Sequence, residues 1–322
     1  MTAEPATRVL QAGADAIDAA ARTLAAGGLV AFPTETVYGL GADATQGEAV
    51  ARLYAAKGRP AFNPLIAHVA DVAAARKLAV FDEAAEKLAV TYWPGPLTLV
   101  LAKQPNCPVA DLALAGLDSI AVRVPAHPLA RQLLAAFGKA IVAPSANRSG
   151  HVSPTSAAHV LTDLRGRIEL VIDGGACEVG VESTIVSLLG APALLRPGGI
   201  ARAEIEATLG SRLTLAETAG DDAPLAPGML ASHYAPKARL RLNAENLHAG
   251  EALLAFGKAL PTAGPVLNLS ARGDLVEAAA NLFSHLRTFD AGGATAIAVM
   301  PVPHGGLGDA INDRLTRAAA PR

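Results

Sequence analysis

Two hydroxyls, a carboxylate and a phenol stand close together in Thr34-Glu35-Thr36-Val37-Tyr38, directly after the apolar run at 29–32. In an open α/β sheet, ligands bind just beyond strand ends, and Gly39 and Gly41 would let the backbone approach one closely. The alternative is an ordinary polar turn, with Thr34 as a cap and Tyr38 half buried. Lys57-Gly58-Arg59-Pro60, followed by Asn63, Pro64 and His68, sets two cations in one short loop. Such a pair suits a triphosphate, because Arg forks two oxygens while Lys supplies a point charge. The same residues also fit a solvated helix end. Arg123 lies inside the apolar run 119–125. A buried guanidinium needs an anion, either a ligand carboxylate or a structural Asp or Glu. Residues 143–150, reading APSANRSG, together with Ser153, present hydroxyl, amide and backbone N–H groups at a strand exit. They can hold phosphate or ribose, or close an Asx turn. Glu182-Ser183-Thr184 and Arg196-Pro197-Gly198 add polar groups at strand edges.

The elements that must position these residues follow from periodicity. Helical spacing runs through 14–26, with Ile17 and Leu24 on one face and Gly27-Gly28 as a stop. Further helices are expected at 47–56, 82–92 (capped by Asp82), 127–137 (begun by His127), 155–164 and 203–209. Strands are expected at 29–32, 64–69, 97–102, 119–124, 140–143, 170–172, 184–188 and 193–195. This order predicts an α/β fold with a mixed sheet, because strict βαβα alternation fails. From 213 to 237 the composition turns small, polar and proline-bearing, as in a linker. Beyond it, strands at 253–256, 266–269 and 296–300 and helices at 275–286 and 310–318 build a small second α/β domain. The expected division is 1–212, a linker or lid at 213–237, and 238–322.

Composition excludes several classes. Half of the 322 residues are hydrophobic, so most of the chain is expected to fold. The net charge of −2 argues against a protein held to nucleic acid by a broad basic face. Cys107 and Cys177 stand in no metal-binding spacing. Residues 1–11 hold no signal-like apolar stretch, and no apolar run approaches the ~18 residues of a membrane helix. A soluble, cytoplasmic protein is expected. There is no GxxxxGK[ST], no GxGxxG opening a helix and no GxSxG.

In their order along the chain, PTETVYGLG (33–41), KGRP with NPL (57–65), SIAVRVP (119–125), SANRSG (145–150), ESTIV (182–186) and RPG (196–198) resemble the threonylcarbamoyl-AMP synthase family. Pro227-Gly228-Met229 and Ser232-His233-Tyr234-Ala235-Pro236 are similar to the linker of its long, two-domain form. The resemblance implies a twisted mixed-sheet YrdC-like domain with one deep cavity, plus a small Rossmann-like C-terminal domain. It implies synthesis of L-threonylcarbamoyl-adenylate from L-threonine, bicarbonate or CO₂, and ATP, with release of pyrophosphate. That is the first step of N6-threonylcarbamoyladenosine formation at position 37 of tRNA, and a downstream threonylcarbamoyl transferase complex takes the product. Mg²⁺ would arrive on the ATP phosphates. The family's threonine contacts fall on Thr36, His68, Arg123 and Ser183. Its nucleotide contacts fall on Lys57, Arg59, Asn63, Ser119, Ser145, Ser153, Arg196 and Tyr234, with Lys57 and Arg59 as the catalytic cations. If Tyr234 reaches the nucleotide, residues 227–236 form a lid that excludes water. Ala143-Pro144 departs from the pattern, since many relatives carry a hydroxyl there. Three alternatives stand beside this reading: an RNA-binding module, a carbamoyl-transfer domain of related fold, and a relative that binds nucleotide only for regulation. The first lacks aromatic platforms here, and the second lacks its zinc-finger cysteines.

Overall fold

The computed structural model describes residues 5–215 and 233–321. The chain begins with β1 (Arg8–Gln11), α1 (Ala14–Ala25), β2 (Val30–Pro33), β3 (Tyr38–Asp43), α2 (Gly47–Lys57), β4 (Ile66–His68), α3 (Val72–Arg76), α4 (Glu83–Tyr92) and β5 (Leu97–Ala102). Next come α5 (Asp111–Leu114), β6 (Ser119–Arg123), α6 (Pro128–Phe137), β7 (Ile141–Val142), α7 (Ala157–Leu164) and β8 (Leu170–Asp173). β9 (Thr184–Ser187), β10 (Ala193–Arg196), α8 (Arg202–Leu209) and β11 (Thr214–Leu215) complete this part. The remainder holds β12 (Arg239–Arg241), β13 (Ala252–Ala255), β14 (Val266–Asn268), α9 (Leu275–Ala291), β15 (Ala296–Val299) and α10 (Leu307–Ala319).

The strands form two sheets. The larger is mixed and 11-stranded, in the order β1-β8-β2-β3-β7-β4-β6-β5-β9-β10-β11. The smaller is a parallel four-stranded sheet, β12-β15-β13-β14. This is the α/β architecture expected from the periodicity. Helix starts follow side-chain chemistry: Asp82 accepts from Ala85 N at 2.8 Å, and His127 Nδ1 accepts from Leu129 N at 3.2 Å. Gly58, in the left-handed region at φ 60°, ends α2 and turns the chain directly after Lys57.

Several expectations need correction. Tyr38 to Gly41 are strand, not loop, and Tyr38 is fully buried, its hydroxyl donating to Gly175 O at 2.7 Å. The glycines of β3 accommodate protein rather than ligand. A Cβ on Gly41 would lie 2.9 Å from the Phe32 ring, and one on Gly39 would lie 3.2 Å from Ala143 Cβ. β1 was not expected, because RVLQ shows no alternation; it is an edge strand that pairs with β8. β11 carries the first sheet past residue 212, and α9 runs beyond 286 to Ala291. Most of the expected lid, 227–232, lies outside the described residues; its end, 233–236, is described.

Candidate active site

Alternation along two strands builds the floor. β4 and β6 pair in parallel, with Ile66 opposite Ala121 and His68 opposite Arg123. Ala67 and Val122, between them, point into the main core. Ile66 and Ala121 point the other way, into a small apolar cluster with Ile185 and Leu195. His68 and Arg123 therefore stand side by side over that second face. β7 pairs with β4 only through Val142 and Ile141, after which the chain follows β3, with Gly39 bridging Ser145. The resulting opening beside β4 is edged by Ala143, Pro144 and Ser145. The β2–β3 turn closes another side. There Thr34 Oγ1 donates to Val37 O at 2.7 Å and lies 2.8 Å from Thr36 Oγ1.

The cavity so formed encloses about 490 Å³ including its mouth. Thr36, His68, Arg123 and Ser183 all line it, as do Arg59, Ser145, Arg196 and Tyr234. Lys57, Asn63, Ser119 and Ser153 do not. All four are buried. Lys57 Nζ donates to Ser145 O and Asn147 O, each at 2.5 Å, and so supports the loop from beneath. Both cations of the 57–60 loop are buried rather than solvated, Lys57 beneath residues 145–147 and Arg59 at the cavity wall. Burial, and after it Arg59, holds the Lys57 pKa well below its usual range. Ser153 Oγ donates to Glu182 Oε1 at 2.5 Å. Asn63 Oδ1 has no partner among the described residues.

The anion that Arg123 needs is internal. Its Nη2 donates to Glu35 Oε1 at 2.6 Å, and its Nε to Gly95 O at 3.3 Å. Glu35 also accepts from Ala126 N at 3.0 Å. Burial would raise the Glu35 carboxyl, but Arg123 outweighs it and holds the pKa below the ordinary range. Arg123 therefore does not wait for a ligand as its first counter-ion. His68 Nδ1 lies 3.2 Å from Ile66 O, and burial, with Arg123 beside it, pushes the imidazole down to about 3. A neutral ring donating through Nδ1 leaves Nε2 as the acceptor. Arg59 donates to Asn63 O and Pro64 O at 3.3 and 3.1 Å, and burial lowers it to about 10. Arg196 donates through Nε and Nη2 to Ser183 O, at 3.1 and 3.0 Å.

Three further residues belong to the site and were not among the expected contacts. Glu182 and His233 line the cavity, and Glu35 orients Arg123. The carboxylates inside PTET and ESTIV were the available signal for two of them. His233 is buried, and desolvation pushes it down to about 3. Tyr234 is fully buried, with φ 62°, and stacks on Phe283 at 5.6 Å between ring centres. Among the described residues, no three His, Cys, Asp or Glu side chains gather to hold a metal ion. No helix among them is long and apolar enough to cross a membrane.

A two-domain α/β protein with a cation-rich cavity at its strand ends is built to bind small anionic substrates. A family model described as "Telomere recombination" matches residues 22–198, and one described as "Threonylcarbamoyl-AMP synthase, C-terminal domain" matches residues 200–320. The Pyrococcus abyssi threonylcarbamoyl-AMP synthase is 45% identical over 316 residues, 92% of each chain. The Bacillus subtilis protein of that name is 42% identical over 312 residues, covering 91% of this chain and 90% of its own. The crystal structure of P. abyssi Sua5 complexed with L-threonine superposes with a TM-score of 0.89 at 41% identity, over 97% of both chains. The chain belongs to the threonylcarbamoyl-AMP synthase family, in its two-domain form. Escherichia coli YciO, with a TM-score of 0.52 and 21% identity over 60% of this chain, shares the first domain's fold alone.

Proposed function

We propose that this protein makes L-threonylcarbamoyl-adenylate from L-threonine, bicarbonate or CO₂, and ATP, in the cytoplasm, for a downstream tRNA-modifying threonylcarbamoyl transferase. The observation that carries this is the convergence of Thr36, His68, Arg123 and Ser183 with Arg59, Ser145, Arg196 and Tyr234 in one cavity. The threonine amine first attacks the carbon donor, giving the carbamate and, from bicarbonate, one water. A carbamate oxygen then attacks the α-phosphorus, and pyrophosphate leaves with the electrons of the broken P–O bond.

The protein's share is position and charge rather than covalent chemistry. Arg123, held by Glu35, offers its remaining N–H donors to the threonine carboxylate. Neutral His68 accepts through Nε2 from the amino acid. Arg59 and Arg196 offset charge on the triphosphate, where a water-poor cavity makes each cation count for more than in water. Lys57 acts through the 145–147 backbone that it supports and through its charge once phosphate is near. Mg²⁺ would arrive bound to the ATP phosphates, as MgATP. The division into a catalytic domain, a linker and a domain at 238–322 is part of this reading, with the first domain extended from 212 through β11 to Leu215 and Tyr234 as the lid's inner end.

The test is pyrophosphate release with MgATP, with and without L-threonine and bicarbonate. Release that depends on both is the expected result; release indifferent to threonine would overturn the reading. Lys57→Ala and Arg59→Ala should each lower the rate about 100- to 1,000-fold, the scale seen when one charge-stabilising donor is removed. Wild-type rates in both would reject these two residues.

A further inference from the structure

Arg314, on α10 of the second domain, is the largest fully buried side chain among the described residues. Its Nε donates to Glu182 Oε2 at 2.8 Å and its Nη1 to Asp313 Oδ2 at 2.6 Å. Its guanidinium carbon lies 5.1 Å from the centre of the Tyr234 ring. Glu182 and Tyr234 are both cavity walls, so one side chain outside the cavity grips two of its surfaces. Stability alone gives little reason for an arginine here. Replacing a buried ion pair with apolar groups is often neutral or stabilising. Moreover, Arg314 Nη2 is buried with no partner among the described residues. A second arginine of the same domain reinforces the arrangement: Arg287, on α9, donates to Val152 O, to Ser153 O at 3.4 Å and to Asp163 Oδ2 at 2.8 Å.

We propose that Arg314 is a positioning residue for the nucleotide half of the site. It fixes Glu182, and through Glu182 the Ser153 hydroxyl, while holding the Tyr234 ring against the cavity. The second domain thereby sets the geometry in which ATP is held. This rests on the proposed function and on the nucleotide contacts that the family resemblance implies for Tyr234 and Ser153.

The arrangement has a signature that a merely structural arginine would not give. Burial alone would raise the Glu182 carboxyl; Arg314 first, and Arg196 from β10 after it, outweigh burial and hold it low. The other groups facing Glu182 are the Ser153 hydroxyl, neutral His233 and the Tyr234 phenol. Without Arg314, Arg196 and the Ser153 hydrogen bond are left to oppose burial, and the carboxyl pKa rises.

The experiment uses the full chain with Arg314→Met, Arg314→Lys and the double variant Arg314→Met/Glu182→Gln. Thermal stability, ATP affinity by calorimetry, and pyrophosphate release with ATP and L-threonine varied separately are measured from pH 5.5 to 8. Arg314→Met is expected to fold and to raise the KM for ATP by up to about 100-fold, the scale of a misplaced binding group. Its KM for threonine should move less than about threefold, well short of the tenfold that 1.4 kcal/mol represents. Its kcat/KM for ATP should gain an acidic limb that the wild type lacks and that the double variant loses. Arg314→Lys, keeping the charge without the fork, should recover the pH profile and part of the ATP affinity. Wild-type ATP affinity and pH profile in Arg314→Met would overturn the proposal, as would equal rises in both KM values. If Arg314→Met does not fold, Arg314→Lys decides: unchanged ATP affinity rejects the proposal. Wild-type protein that binds ATP but shows no threonine-dependent release would sink the proposed function instead, and ATP affinity would still judge Arg314.

Discussion

Replacing Glu35 with Gln isolates the contact that orients Arg123. The pair is 2.6 Å long, with side chains only 5% and 9% exposed for Arg123 and Glu35, so solvent does little to screen it. Removing one member of a buried pair costs about 3–5 kcal/mol, because the other charge is left uncompensated. Glutamine keeps the volume and one acceptor for Ala126 N–H, so about 3 kcal/mol is expected. At about 2–4 °C per kcal/mol for a protein of this size class, the midpoint should fall by about 6–12 °C at pH 7. The sign of the pH dependence follows from the lowered Glu35 pKa. The wild type's advantage is full above the unfolded value near 4.3 and is lost as pH falls through the folded value. Guanidinium unfolding of both proteins at pH 7 and pH 4 therefore reads out the pair directly. A gap under about 1 kcal/mol at pH 7, the range of an exposed pair, would refute the reasoning, as would a gap that widens towards pH 4.

Two other perturbations probe the framework. A Cβ at Gly198 would lie 2.4 Å from Glu182 O, Ser183 C and Thr184 N, so Gly198→Ala must displace the backbone carrying Glu182 and Ser183. We expect at least a tenfold loss of kcat/KM, about 1.4 kcal/mol, in a protein that still folds, and full activity would contradict the close packing. His68 and His233 are each pushed to about 3 by burial, while their unfolded values lie near 6.5. Unfolded protein then binds more protons below pH 6.5, so stability should drop by about 1.4 kcal/mol per pH unit for each histidine between pH 6 and 5. Denaturation series at those pH values should show His68→Asn with a shallower slope; identical slopes would mean that His68 titrates normally.

The strand and helix order was legible because the apolar periods are strong, and capping by Asp82 and His127 was readable from residue type. Where the sequence misled, the deciding partner was distant. Gly39 and Gly41 look like a ligand-facing loop until Phe32 and Ala143 are seen packed on them. Arg123 announced its need for an anion, but Glu35 lies 88 positions away and nothing local couples the two. Lys57 was legible as a cation of its loop, whereas its two carbonyl acceptors, Ser145 O and Asn147 O, were not. Arg314 had no local signal at all. Its meaning comes from Glu182, 132 positions earlier, and from the ring of Tyr234. Eight of the twelve expected contact residues line the cavity, while the residues that orient them could not be read from the sequence.

Val37, Val152 and Val181 belong to the same apolar cluster as Phe283, Leu282 and Ile297. Parts of three site-forming segments therefore share the apolar interior of the second domain, and Arg287 and Arg314 add polar ties across the same boundary. Grafting a relative's C-terminal domain onto this chain would change what those three valines touch, so an exchange that respects the linker alone would still alter the cavity. A chimaera would have to carry its valine contacts with it. Melting followed by calorimetry should likewise record one heat-absorption peak rather than two, because the shared apolar cluster couples the two halves.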